Sequence, residues 1–303
     1  MPAIAVEALR KSYGPVEAVR GIDFTVEEGE VFALLGPNGA GKTTTVEILE
    51  GYRPRSAGEV SVLGFDPATG GRAFRERIGI VLQTSGLDSA LSVIEAVELY
   101  GAAYPRPRDP VEVVRLVGLG EKRAARIGTL SGGQRRRVDL ALGLIGDPDL
   151  VFLDEPTTGF DPSARRRAWG LVQDLRGLGK TILLTTHYMD EAQSLADRVA
   201  VIAAGRFVAE GDPASLGGRD VAEAVVAFRL PPGQRLEDLP VPAGAEARDG
   251  LVRARVPEPT RALHAITGWA LERGIELEGL QVTRPSLEDV YLELTGDQEP
   301  GDE

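Results

Sequence analysis

Residues 31–49 read VFALLGPNGAGKTTTVEIL, and the fold follows from how that stretch is built. Val31 to Leu35 run without a polar break, as a strand covered on both faces does. They end in a turn with glycines at Gly36, Gly39 and Gly41, which opens into a helix-like run from Lys42 to Leu49. Gly36, Pro37, Asn38, Gly39, Ala40, Gly41, Lys42 and Thr43, followed by Thr44, fit the G-x-x-x-x-G-K-T phosphate-binding loop in the strand-then-helix setting that its chemistry needs. Glycines let backbone N–H groups turn inward around phosphate oxygens. Lys42 can then reach the β and γ oxygens, the Thr43 hydroxyl can ligate Mg²⁺, and the helix N-terminus favours an anion.

Outward from this loop, apolar runs recur at Ile78 to Leu82, Leu150 to Leu153, Ile182 to Leu184 and Val199 to Ile202, separated by longer helical patterns. That alternation predicts an α/β fold with a parallel or mixed core sheet. Short β-like runs at Ile4 to Leu9 and Ile22 to Val26 precede it. Between Gln83 and Asp147 only helix-like stretches are found, so residues of about 84–147 read as a helical insertion. Its apolar positions Leu87, Leu91, Val93, Ile94 and Val97 are the candidates for docking a partner. Composition shifts near 211–220 (GDPASLGGRD), which predicts a domain over 1–215, a small α+β domain over 220–296 and an acidic tail, 297–303. From residue 220 onward 17 acidic and 8 basic residues carry −9 of the chain's net −12.

Two more motifs carry chemistry. LVFLDEP, 150–156, is an apolar strand ending in two acids; lying beside the phosphate-loop strand, it would bring Asp154 to a magnesium ion. Glu155, next along, is the candidate base that orients or deprotonates an attacking water. In LSGGQ, 130–134, Ser131 followed three residues later by Gln134 is a capping box that starts a helix. The intervening Gly132 and Gly133 are poor first-turn residues unless something approaches the backbone closely, so this helix start is a second anion site.

Composition removes whole classes of function. A pI near 4.9 has the wrong sign for gripping a phosphate backbone, so nucleic acid is not an expected partner. Zero cysteines exclude disulfides, thiolate nucleophiles and thiolate-bound zinc, and two histidines exclude a histidine-rich metal site. The N-terminus lacks the pattern of a secretory signal, and no apolar run approaches the roughly 20 residues of a membrane-spanning helix. The expectation is therefore a cytoplasmic chain that meets a membrane only through a partner.

Taken in order, GPNGAGKT, LSGGQ, LVFLDEP and His187 after TILLTT closely resemble the nucleotide-binding subunits of ATP-binding cassette (ABC) transporters over roughly residues 1–215. The resemblance implies an antiparallel N-terminal β subdomain beside the core sheet, ATP and Mg²⁺ as substrate and cofactor, and a role for each matched residue. Tyr13 matches the aromatic that stacks on adenine. Gln83 matches the glutamine that senses magnesium and water, Asp161 the acid at the dimer contact, and His187 the switch histidine that touches the γ-phosphate. It further implies a head-to-tail homodimer, or a pair with a paralogous subunit, in which Lys42 and Thr43 of one chain face Ser131, Gly132 and Gly133 of the other across ATP. Phe160, Leu142, Gly143 and Leu144 depart from the usual pattern around these motifs. RPSLEDVYLELTG, 284–296, resembles the tail of exporter subunits of the daunorubicin-resistance type, which implies a separate polytopic permease for a drug, antibiotic, lipid or polysaccharide. The competing expectation is a soluble ATPase of the same superfamily that remodels an assembly without a membrane partner. His264 matches no motif and stays outside the site.

Overall fold

A computed structural model describes residues 2–81, 86–216 and 223–284. The chain divides into two compact units, Met1–Pro213 and Ala214–Glu303.

The first unit opens with β1 (Ile4–Tyr13) and β2 (Val16–Val26), an antiparallel hairpin in which Tyr13 faces Val16 across Gly14 and Pro15. Gly14 has φ 57°, as a tight two-residue hairpin turn needs at its first central position. β3 (Val31–Leu35) follows with all five residues buried, then α1 (Lys42–Leu49) and β4 (Ala57–Val62). β4 pairs antiparallel with β1 and completes a three-stranded sheet in the order β2-β1-β4. After α2 (Gly71–Arg75) comes β5 (Ile78–Val81). The described residues before the next strand form α3 (Val93–Gly101), α4 (Pro110–Leu116) and α5 (Gly132–Leu144). Then follow β6 (Leu150–Asp154), α6 (Pro162–Gly177), β7 (Thr181–Thr186), α7 (Met189–Leu195), β8 (Arg198–Ala203) and β9 (Arg206–Gly211).

The core sheet runs β5-β6-β7-β3-β8-β9, parallel except for β9, so the expected α/β class with a mixed sheet is what forms. One expectation about it is corrected: β6 does not lie beside β3, because β7 separates them. TILLTT of β7 is buried throughout and pairs with both, with Leu34 opposite Thr185 and Thr185 opposite Asp154. The carboxyl ends of β3, β7 and β6 thus line up at one edge, where open α/β sheets bind their ligands.

α5 packs against β5 at a contact that only small residues permit. A Cβ on Gly79 would lie 2.2 Å from the carbonyl oxygen of Gly143, and one on Gly143 would lie 2.7 Å from Val81 Cγ2. This accounts for Gly143 among the departures noted in the sequence. The docking candidates are corrected in part: Val93 and Val97 are fully buried in the core, and the exposed apolar side chains of α3 are instead Leu99 and Tyr100. Val93 and Val97 are a turn apart, so they share the inward stripe of an amphipathic helix.

The second unit is a four-stranded antiparallel sheet, β11 (Glu246–Arg248), β12 (Leu251–Val256), β10 (Ala224–Arg229) and β13 (Gln281–Thr283) in that order. Alternate residues Val226, Phe228, Val252 and Ala254 share one core with Ile266 and Ala270 of α8 (Pro259–Glu272), and His264 is exposed on that helix. Beyond Arg284, the exporter-like stretch and the acidic tail lie outside the described residues.

Candidate functional site

The loop after β3 is held by close approaches that exclude side chains. A Cβ on Gly36 would sit 2.4 Å from the carbonyl oxygen of Ile202, and one on Gly41, whose φ is 107°, would sit 2.5 Å from that of Ala18. Gly41 is also the N-cap of α1 and offers no capping side chain, so the helix presents its backbone donors uncovered by its own cap. Pro37, Asn38, Gly39 and Thr43 are exposed, Thr44 is half-buried and Ala40 is buried. Lys42 is only 5 % exposed. Its Nζ donates to the carbonyls of Gly36 (2.7 Å) and Pro37 (3.1 Å) and lies 3.8 Å from Glu155 Oε1. Burial pulls the Lys42 pKa below its ordinary value, while the charges of Glu155 and Asp154 oppose the fall.

Asp154 ends β6 half-buried, and its Oδ1 accepts from Thr185 Oγ1 at 2.5 Å. Glu155 has φ 44°, a left-handed conformation that is costly for a residue with a Cβ. Its backbone N–H is fixed to both the hydroxyl (3.0 Å) and the carbonyl (3.2 Å) of Thr185, and Thr158 donates to its Oε2 at 3.0 Å. The turn aims Oε1 into the space between Lys42 Nζ and His187 Nδ1, the latter 3.3 Å away. That imidazole nitrogen is buried and makes no aligned hydrogen bond. The site therefore gathers a buried cation, two carboxylates and a nitrogen base-or-donor at the uncovered start of α1, a set suited to binding phosphate and handling a water proton.

Ser131 caps α5 as expected: Gln134 N donates to its hydroxyl (3.3 Å) and Ser131 N to Gln134 Oε1 (3.0 Å). A Cβ on Gly132 would meet nothing within 4 Å. Gly132 and Gly133 border a groove of about 470 Å³ that reaches Glu155, Thr158 and Phe160. Asp161 caps α6, accepting from Ser163 N (2.8 Å) and Ala164 N (2.9 Å), and these bonds hold its carboxyl below the usual range. Tyr13 is 40 % exposed at the end of β1, with Lys11 Nζ 5.0 Å and the Arg53 guanidinium 5.3 Å from its ring centre. Gln83 lies outside the described residues. The structure thus brings Lys42, Asp154, Glu155 and His187 to one sheet edge; Ser131, Asp161 and Tyr13 are each set on other elements.

Several residues at this edge carry no motif. Thr185 holds both acids, and Arg136, buried in α5, donates to the carbonyls of Asp154 (2.9 Å) and Pro156 (3.4 Å). Burial lowers the Arg136 pKa against the pull of Asp139, Asp154 and Glu191. The signal for Arg136 was a cation on the inward face of α5, among Val138 and Leu140, where a helix has no use for one unless it is paired.

Fold and site together define a phosphate-loop nucleotide-binding protein. Residues 19–158 match the family described as ABC transporter, and residues 224–286 the one described as ABC transporter domain-containing protein-like, C-terminal domain. The chain is 39 % identical over 307 residues to daunorubicin resistance ATP-binding protein DrrA3 of Streptomyces coeruleorubidus, covering 97 % of this chain and 96 % of that one. It is 38 % identical over 301 residues to Nod factor export ATP-binding protein I of Rhizobium meliloti (strain 1021), covering 97 % and 88 %. Among solved structures, that of cbiO1 from Clostridium perfringens, part of the ABC transporter complex cbiONQ, superposes with a TM-score of 0.64 at 31 % identity, covering 71 % and 90 %. The chain belongs to the ABC transporter family as one of its ATP-binding subunits. Among the described residues no helix is long and apolar enough to cross a membrane.

Proposed function

We propose that this chain hydrolyses MgATP between two copies arranged head to tail and so powers a separate membrane permease that exports a drug, antibiotic, lipid or polysaccharide. The observation that carries the reading is the convergence on Glu155 Oε1 of Lys42 Nζ at 3.8 Å and His187 Nδ1 at 3.3 Å, at the mouth of the phosphate loop. Lys42 and the N–H groups of the loop, Gly36 to Thr44, bind the β- and γ-phosphates, and His187 touches the γ-phosphate. Glu155 orients the attacking water and takes its proton; water oxygen bonds to the γ-phosphorus as the bond to the β-bridging oxygen breaks, giving ADP and phosphate. Tyr13 stacks on adenine, and Gln83 senses the metal and the water.

The donor set at the sheet edge fits Mg²⁺, a hard cation that takes few protein oxygens and keeps the rest of its shell as water and phosphate. Thr43 and Asp154 would hold it, and when bound it neutralises charge on the phosphate oxygens. The ATPase domain spans 1–215 and the accessory α+β domain 220–296. Ser131, Gly132, Gly133 and Gln134 close on the nucleotide of the partner chain, with Asp161 at the contact, which gives a symmetric pair with two shared sites. The chain is cytoplasmic and peripheral on the inner face of the membrane through its permease. The relatives named for daunorubicin resistance and Nod factor export support export, and a net charge of −12 gives no reason to look for nucleic acid.

Glu155→Gln tests the mechanism. It should bind MgATP as the parent does, remain as an ATP-dependent dimer on size exclusion, and lose roughly 100-fold or more in turnover, the range a general base supplies. Turnover at the parental rate would refute the assignment.

A further inference from the structure

Beyond the residues that meet nucleotide, α6 grips the loop carrying His187 at two points. Arg165 and Trp169 are one helical turn apart and so project from the same face of α6. The Arg165 guanidinium lies 4.2 Å from the centre of the Tyr188 ring, and its Nη1 pairs with Asp190 at 3.2 Å. Tyr188 in turn packs against the His187 imidazole, with ring centres 4.1 Å apart and a tilt of 41°. Its backbone N–H is tied to Thr186 Oγ1 at 2.9 Å. A turn further along α6, Trp169 Nε1 donates to Glu191 Oε1 at 3.1 Å, an oxygen that also accepts from Thr157 Oγ1 at 2.8 Å. Glu191 is wholly buried, and Thr157 belongs to the same turn as Glu155. The loops of both Glu155 and His187 are thus referenced to one helix.

Among the described residues, the imidazole has little besides Tyr188 and the 3.3 Å approach to Glu155 to hold it. Its Nδ1 makes no aligned hydrogen bond and its side chain is one-third exposed. The ring that packs against it is Tyr188, and Arg165 lies over Tyr188. A cation over a tyrosine face contributes about 0.5–2 kcal/mol, more where water is excluded, enough to hold one ring orientation. Misplacing a catalytic group by about 1 Å can cost on the order of 100-fold in rate.

We propose that Arg165 and Trp169 are positioning residues: from α6 they clamp Tyr188 and Glu191 so that His187 stays over Glu155, and turnover depends on that clamp. The inference rests on the reading of Glu155 and His187 given under the proposed function.

The test measures kcat and KM for ATP, affinity for a fluorescent N-methylanthraniloyl ATP probe, and Tm, in the full chain. Arg165→Ala and Tyr188→Ala should each lower kcat roughly 10- to 100-fold with probe affinity and KM within about threefold of the parent. The double variant should be no slower than the slower single, because both break one chain of contacts. Tyr188→Phe keeps the ring and should recover most of the rate; Arg165→Lys keeps the charge but not the planar group stacked on that ring, and should recover only part of it; Trp169→Phe, which keeps the ring and loses the donor to Glu191, should show the same kcat-only loss. Parental kcat in Arg165→Ala, or losses that multiply in the double variant, would overturn the clamp. So would a Tyr188→Phe variant that fails to recover rate while Tm falls in step. His187→Ala separates the two levels: if it turns over normally the site reading itself fails, whereas if it is inactive and Arg165→Ala is not, only the clamp fails.

Discussion

Glu50 ends α1 with 6 % of its surface exposed, and burial, with Asp154 and Glu47 adding repulsion, pushes its carboxyl pKa from 4.5 up to about 8. Below pH 4.5 the group is protonated in both folded and unfolded chain and contributes nothing. As pH rises toward 8 the unfolded chain releases a proton that the folded chain keeps, so the folded state loses ground with each pH unit, and above about 8 the loss is complete. A gap of about 3.5 in pKa corresponds to a ceiling of about 5 kcal/mol. Glu50→Gln abolishes the titration but leaves an amide to satisfy, at about 1–3 kcal/mol, so a net gain of about 2–4 kcal/mol is expected at pH 8.5 and a net loss of about 1–3 kcal/mol at pH 4.5. Urea unfolding from pH 4.5 to 9 measures it. Because the chain has two units, a Trp269→Phe background leaves Trp169, in the first unit, as the sole tryptophan reporter. Parallel stability profiles for Glu50 and Gln at this position across the whole range would refute the reasoning.

Gly79→Ala drives a methyl to within 2.2 Å of a backbone carbonyl, so α5 must shift or β5 must bend. A loss of about 1–3 kcal/mol or more is expected, read as a lower Tm, and an unchanged Tm would mean that the close contact is not made. Ser131→Arg should leave nucleotide binding by the monomer intact while abolishing ATP-driven dimerisation on size exclusion or light scattering. Undiminished dimerisation would place the α5 start away from the shared nucleotide.

The phosphate loop is legible in sequence because its chemistry is contiguous: one strand end, one turn and one helix start hold the parts, and each residue type is fixed by the backbone's need to approach an anion. Asp154 and Glu155 are legible for a similar reason, as two acids closing an apolar run. What sequence order does not carry is which strands are neighbours. β7 comes between β3 and β6 although both precede it in the chain, and Thr185, which holds Asp154 and Glu155 together, is therefore an ordinary threonine until the sheet is assembled. Apolar spacing in α3 marks Val93 and Val97 as a stripe but does not say which way the stripe faces, and it faces inward. Arg165 and Tyr188 are 23 positions apart, with a strand between them, so nothing local announces their contact.

The start of α5 is the place where the fold alone gives the weakest account of its own residues. Ser131 and Gln134 already satisfy each other, so the cap asks nothing of the two residues between them. A side chain on Gly132 would meet open space among the described residues, and glycine costs up to about 1 kcal/mol relative to alanine inside a helix, less in its first turn. Packing would therefore favour alanine at Gly132, in contrast to Gly36, Gly41, Gly79 and Gly143, where neighbouring atoms forbid a methyl. Gly170 in α6 and Gly268 in α8 have the same open space among the described residues, but of the three only Gly132 lies at a helix start, between the two halves of a capping box. Exposed N–H groups at a helix start select an anion, and in the proposed arrangement that anion is the triphosphate bound at α1 of a second copy. The open backbone at Gly132 is what the proposed two-chain site would use, and it is an observation separate from those on Lys42, Glu155 and His187.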